Sequence, residues 1–199
     1  MRADYRVVLD ACVLIPMPLA DTLLRMAEAP RLYLPKWSQT IMDEVTRNLI
    51  VKWGMAPEKA RRREEELRRH FPEVWAEGFE PIIDAMTNDP GDRHVLAAAV
   101  RSHSELIVTY NRRHFPAAAL QPWEIDVQGP SKFMRGLYDL DAGLVVGKLH
   151  EQAAKIQVPP ASSPAQPRQQ CSGFRRLLLR GTRHRPCQRD SRRIFVSTK

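Results

Sequence analysis

Asp10, Glu44, Asp89, Asp92 and Asn111 stand at the ends or margins of apolar runs, where polar side chains are costly unless used. Asp10 interrupts Val7-Val8-Leu9 and Ala11-Cys12-Val13-Leu14-Ile15. A carboxylate inside such a run needs a partner, a hydrogen bond or a metal. Glu44 borders the apolar side of a helical segment. Asp89 and Asp92 frame the turn Asp89-Pro90-Gly91-Asp92, and Asn111 ends the run Ile107-Val108-Thr109-Tyr110. Each has an ordinary explanation alone: Asp caps helices, and a helical Glu is usually solvated. Convergence would change this, because Asp10, Glu44 and Asp92 without basic partners would repel one another and imply a bound cation. Hard oxygen ligands with open water positions suit Mg²⁺ or Mn²⁺, not zinc. The chemistry natural to that arrangement is phosphodiester hydrolysis.

The elements that would bring these residues together alternate between strand and helix. Tyr5–Leu9 reads as a buried strand and Pro18–Glu28 as a helix with Leu19, Leu23, Leu24 and Ala27 on one side, ended by Pro30. Leu32–Pro35 is a short second strand. Ser38 caps a helix from Gln39 towards Val51, with Ile41, Val45, Leu49 and Ile50 on its apolar side. Pro57–His70 is a helix charged nearly all round, an exposed hairpin arm. Its pairs Arg61–Glu65, Arg62–Glu66, Glu64–Arg68 and Glu65–Arg69 have i,i+4 spacing. The turn at Asn88–Asp92 opens a helix whose Ala97-Ala98-Ala99 interior can press closely on a sheet. Ile125–Val127 is a last strand, Pro130 opens a helix, and Leu144–Ile156 has helical spacing. Such alternation builds an α/β sheet, with sites at the carboxyl ends of its strands.

The 199 residues suit one domain of about 150 residues plus an extension. No apolar run approaches the ~18 residues of a membrane helix, and no signal peptide is evident. Cys12, Cys171 and Cys187 are odd in number and widely spaced, which argues for a reducing, cytoplasmic setting and against a zinc motif. The net charge of +8 is misleading. Residues 159–199 hold ten of the 31 Lys and Arg and one of the 23 Asp and Glu, leaving 21 and 22 to residues 1–158. The basicity lies in the tail, so bulk charge says nothing about what the rest binds. That tail is rich in Pro, Ser, Gln and Arg without sustained period, and reads as disordered.

The sequence resembles the PIN-domain ribonucleases, in particular the VapC-like toxins of toxin–antitoxin pairs. Four blocks carry the resemblance: Val7–Ile15; Trp37-Ser38 with Asp43-Glu44-Val45; Asn88–Ala99; and Val108-Thr109-Tyr110-Asn111 with Phe115-Pro116. It covers residues 5–155. It implies a Rossmann-like three-layer α/β/α sandwich around a central parallel sheet, with the helical arm. A nuclease domain over residues 1–157 would then precede the tail, 158–199. The family's acids fall on Asp10, Glu44 and Asp92, the expected metal ligands, and Asn111 stands where a fourth, often Asp, is found. Thr109 matches a hydroxyl that supports the site's hydrogen bonding, with Asp89 beside it. The implied activity is Mg²⁺- or Mn²⁺-dependent cleavage of RNA, with a cognate antitoxin and homodimerisation. Arg93, Arg112, Arg113 and His114 are candidate phosphate contacts. Relatives continue past the Pro-Pro pair with an apolar helical segment, whereas this tail is Arg-rich and aperiodic, as a shifted reading frame would produce.

Two other readings fit less of the sequence. A haloacid-dehalogenase-type phosphate enzyme also starts with an acid after its first strand but needs a second acid two residues on, where Cys12 stands. A non-catalytic PIN-like domain that binds RNA or protein is the alternative that Asn111 leaves open and that the retained Asp10, Glu44 and Asp92 oppose.

Overall fold

Four short parallel strands form the centre of the molecule: β1 (Arg6–Leu9), β2 (Leu34–Lys36), β3 (Leu106–Val108) and β4 (Asp126–Gln128), in the order β2-β1-β3-β4. They are seen in a computed structural model that describes residues 4–156. The expectations for the tail at 158–199 lie outside the described residues. Register is fixed by pairs such as Val7↔Pro35 and Val8↔Ile107, with Ile107↔Val127 on the far side. Val7, Val8, Leu9 and the whole of β3 are buried, as a sheet covered on both faces requires.

The helices are α1 (Ala11–Leu14), α2 (Met17–Ala27), α3 (Gln39–Val51), α4 (Pro57–His70), α5 (Arg93–Arg101), α6 (Ala117–Leu120), α7 (Pro130–Leu140) and α8 (Ala142–Ile156). One group joins α2, α7 and α8; another joins α3, α4 and α5, with α5 against β1 and β3. With the sheet between them they make the expected three-layer α/β/α sandwich. Residues 95–99 of α5 are all fully buried, so its alanines bring the helix axis close to the sheet. In α3 the Ser38 Oγ accepts from the Ile41 N–H at 3.2 Å, the cap its sequence foretells.

The charged helix α4 packs by more than its few apolar residues. It is a largely exposed hairpin partner of α3, yet Ala60 and Leu67 are buried and its charges take tertiary partners. The Arg68 guanidinium lies 3.8 Å above the Trp75 ring and also donates to Gln39, Glu64 accepts from Gln39 and Thr46, and Arg63 Nη2 donates to the Leu14 carbonyl at 2.5 Å. The four i,i+4 pairs do not form; Glu66 instead pairs with Arg69 and His70. Exposed pairs are worth only a few tenths of a kcal/mol, less than stacking on an indole face. Beside β2, Trp37 bridges to Trp75 in parallel, and the Ala76 N–H donates to the Trp37 carbonyl at 2.8 Å.

Candidate active site

The sheet's order places a topological switch between β1 and β3, because the chain leaves β1 towards β2 on one side and leaves β3 towards β4 on the other. Open α/β sheets bind ligands in the crevice at such a switch, beyond the carboxyl ends of the strands. Asp10 follows β1 there, and its backbone N–H donates to Val108 at 3.2 Å, tying it to the end of β3. It occupies the N-cap position of α1 without a side-chain cap, so its carboxylate serves other partners.

Those partners are neutral. Asp10 is 3% exposed, and its Oδ2 accepts from Thr109 Oγ1 at 2.6 Å and from the Cys12 thiol at 3.1 Å. The Asn111 backbone N–H donates to Thr109 Oγ1 at 2.9 Å, which leaves the hydroxyl proton for Asp10. The Tyr110 N–H donates to Cys12 Sγ at 3.2 Å. Burial first, then the Asp10 charge, pushes the Cys12 thiol up to about 12, so it remains a protonated donor. Asp10 is thus satisfied in hydrogen bonding with its charge uncancelled.

Glu44, half-buried on α3, faces that charge. Its carboxyl is raised above the usual carboxylate range, chiefly by burial and then by Asp10, with His94 lowering it, Asp92 raising it less, and Arg47 lowering it least. The three acids expected from the sequence therefore share one electrostatic neighbourhood. They are not the tightest cluster. Among the described residues, Asp89, Asp92 and His114 are the group whose potential metal-ligating atoms all lie within 4.8 Å of one another.

Two turns build that cluster. Asp89 Oδ1 accepts from the Gly91 N–H at 3.0 Å, and a Cβ on Gly91 would sit 3.3 Å from the same oxygen, closer than ordinary contact. The Asp92 N–H donates to the Asp89 carbonyl and the Asp89 N–H to the His114 carbonyl. Asp92 holds the N-cap position of α5 but makes no side-chain cap, and its Oδ2 meets His114 Nδ1 at 2.5 Å. Arg113 Nε donates to His114 Nε2 at 3.3 Å, so the ring proton sits on Nδ1 and points at Asp92.

The remaining expected residues lie around this centre. Asn111 is exposed, with its backbone rather than its side chain engaged. Arg112 and Arg113 are exposed on the turn Arg112–His114, while Arg93 is half-buried with an unpartnered Nε. His114 partners Asp92, an occupation different from the phosphate contact its basic surroundings suggest. Cys12 and His94 escaped sequence reasoning as site residues. His94 carries a buried Nε2 without a hydrogen-bond partner. Cys12 could have been found as a small donor in the first turn of the helix that Asp10 opens; His94 gives no such signal.

Fold and site together define an α/β/α protein with acids gathered at the carboxyl switch of a parallel sheet. A family model described as "PIN domain" matches residues 6–113, more than half of the chain, and the chain belongs to the PIN-domain family. Over 67 residues it is 48% identical to a protein named "Putative ribonuclease VapC50" from Mycobacterium tuberculosis (strain ATCC 25618 / H37Rv). That match takes in 34% of this chain and 40% of the relative, so it spans well under half the length of the relative. No solved structure matches.

Proposed function

We propose that this chain is a divalent-cation-dependent endoribonuclease acting as the toxin of a toxin–antitoxin pair. The observation that carries this reading is the acidic centre at the switch point: Asp10 buried among neutral donors, with Glu44 raised by burial and by Asp10 more than His94 and Arg47 lower it. Family membership and the relative's printed name support the same reading.

The donor set fits a hard cation, since its ligating oxygens are carboxylates and the buried one, Asp10, is hydrogen-bonded by neutral groups alone. Asp10, Glu44 and Asp92 would hold Mg²⁺ or Mn²⁺, with Asp89 supporting. When bound, the ion polarises the phosphate and acidifies a water ligand. The chain's own residues do the positioning. Thr109 and Cys12 fix the Asp10 carboxylate, and the Nδ1–H of His114 orients Asp92. Arg93, Arg112 and Arg113 would take RNA phosphates, with Asn111 exposed beside them. RNA is the proposed substrate, and a cognate antitoxin, a homodimer and a cytoplasmic location complete the proposal. No helix among the described residues is long and apolar enough to cross a membrane.

Cleavage of RNA by purified protein with Mg²⁺ or Mn²⁺ tests this. Activity should vanish on chelation and in folded Asp10→Asn and Asp92→Asn variants. Equal activity in the variants would trace the cleavage to a contaminant and defeat the assignment. Binding without cleavage in the unaltered chain would favour the non-catalytic PIN-like reading, to which the exposed, uncharged Asn111 belongs.

A further inference from the structure

At the amino ends of the strands, away from the acids at the switch point, lies an open groove of about 550 Å³. Ala99, Ser104 and Ile125 are its buried lining residues, and Trp123, 38% exposed, lines it beside Pro122. Glu105 and Glu124 are exposed at its rim. Asp126 carries further negative charge nearby, for burial and then Glu105 and Asp126 all raise the Tyr5 hydroxyl.

Two turns shape the groove in the same unusual way. His103 closes α5 at φ 52°, with Ser104 N–H donating back to Ala99 at 2.9 Å. Glu124 closes the turn Gln121–Trp123 at φ 54°, with its N–H donating to Gln121 at 3.2 Å. Glycine is the usual residue in such left-handed caps, and another residue there costs about 1 kcal/mol. Both caps nonetheless carry ionisable side chains, and both of these line the groove.

We propose that this groove docks an arginine-bearing basic segment of a partner protein. Neither Glu105 nor Glu124 has an ion-pair partner among the described residues. The nearby cations are turned elsewhere: Arg6 Nη1 donates to the Ser102 carbonyl at 3.2 Å, and the Arg101 guanidinium lies against Gly78. A guanidinium can stack on the Trp123 face while forking to a carboxylate, two contacts that an ammonium cannot combine. The openness of the groove admits a chain segment, and its carboxylates repel nucleic-acid phosphates. The site stands independently of the nuclease assignment.

Calorimetric titration of the full chain with acetyl-tetra-arginine amide tests the proposal, with tetra-lysine and tetra-glutamate as comparisons. Residues 1–158 are close to neutral, with 21 basic against 22 acidic side chains, so diffuse charge attraction scarcely favours the cationic peptides there. One-to-one binding of tetra-arginine is expected, with tetra-lysine several-fold weaker, and any tetra-glutamate drawn to the basic tail unaffected by the groove variants. The double variant Glu105→Gln/Glu124→Gln should weaken tetra-arginine by about tenfold or more, and Trp123→Ala should also weaken it. RNA cleavage should be unchanged in both. The double variant alters two exposed side chains, so it keeps the test decisive even if Trp123→Ala melts early. Undiminished tetra-arginine binding in the double variant would place the peptide on the switch-point acids and overturn the proposal, as would no binding of tetra-arginine or equal binding of tetra-lysine.

Discussion

At the carboxyl ends of the strands Asp10 is buried among a hydroxyl and a thiol, whereas at the amino ends Glu105, Glu124 and Asp126 stand in water. Exposed acids cost little and need no partner. A buried carboxylate costs several kcal/mol unless its hydrogen bonding is met, and the usual protein answer adds a cation from Arg or Lys. Here Thr109 and Cys12 meet the hydrogen bonding with neutral groups, and Glu44 is pressed from the same side. The carboxyl end thus holds a buried carboxylate with no basic side chain bonded to it, the charge that the proposed divalent cation would neutralise.

The largest expected effect follows directly. Asp10→Asn preserves the shape and the acceptor for Thr109 but removes the charge. RNA cleavage should fall about 100-fold or more, while circular dichroism and the melting temperature remain close to those of the unaltered chain. A variant that cuts RNA at full rate would remove the distinction between the two ends.

A smaller loss is expected at Cys12, which acts through Asp10. Cys12→Ala removes a donor and should weaken Mn²⁺ binding and cleavage by about tenfold, as support residues around metal ligands commonly do. Cys12→Ser keeps a donor and should restore most of both. If serine is as impaired as alanine, the thiol fills space rather than orienting the carboxylate. The unaltered thiol, held up to about 12, should resist iodoacetamide until the protein unfolds.

Glu44→Gln separates stability from function. Because the folded-state carboxyl lies above its ordinary value, ionised Glu44 costs stability above that value and the cost disappears as falling pH protonates it. The variant should therefore melt ~1–4 °C higher at pH 7.5. That advantage should shrink as pH falls towards 4.5, the ordinary carboxyl value. Mn²⁺ should raise the melting temperature of the unaltered chain but scarcely that of the variant. A variant less stable at pH 7.5 would mean that Glu44 is held by contacts stronger than the repulsion.

What was legible in the sequence was local. Ser38 and the apolar spacing that follows mark α3 at the residues observed, and Pro57 opens α4 at its first turn. Asp10 stood out because a carboxylate inside an apolar run is costly wherever the chain goes. What was illegible depends on partners distant in sequence. Glu64 and Arg68 have intrahelical spacing, but Gln39, Thr46 and Trp75 take them because the hairpin brings α3 and the Trp75 segment alongside. β4 falls one residue later than its apolar run, since Leu106 pairs with Asp126. The His114–Asp92 contact joins turns 22 residues apart, and no spacing rule predicts it.

The smallest expected effect lies at the amino end, at Glu124. Its φ of 54° is a conformation that glycine adopts freely and glutamate does not. Glu124→Gly should relieve about 1 kcal/mol of strain and give back roughly half of it through the greater freedom of the unfolded chain. The variant should then melt about 1–2 °C higher, with RNA cleavage unaltered. It should also bind tetra-arginine less well, because a carboxylate has left the groove. A gain in stability joined to a loss of binding would mark Glu124 as kept for its side chain at the expense of its backbone. If stability rises while binding is unchanged, the left-handed glutamate is merely tolerated, and the acids of this end have no more to do than any others in water.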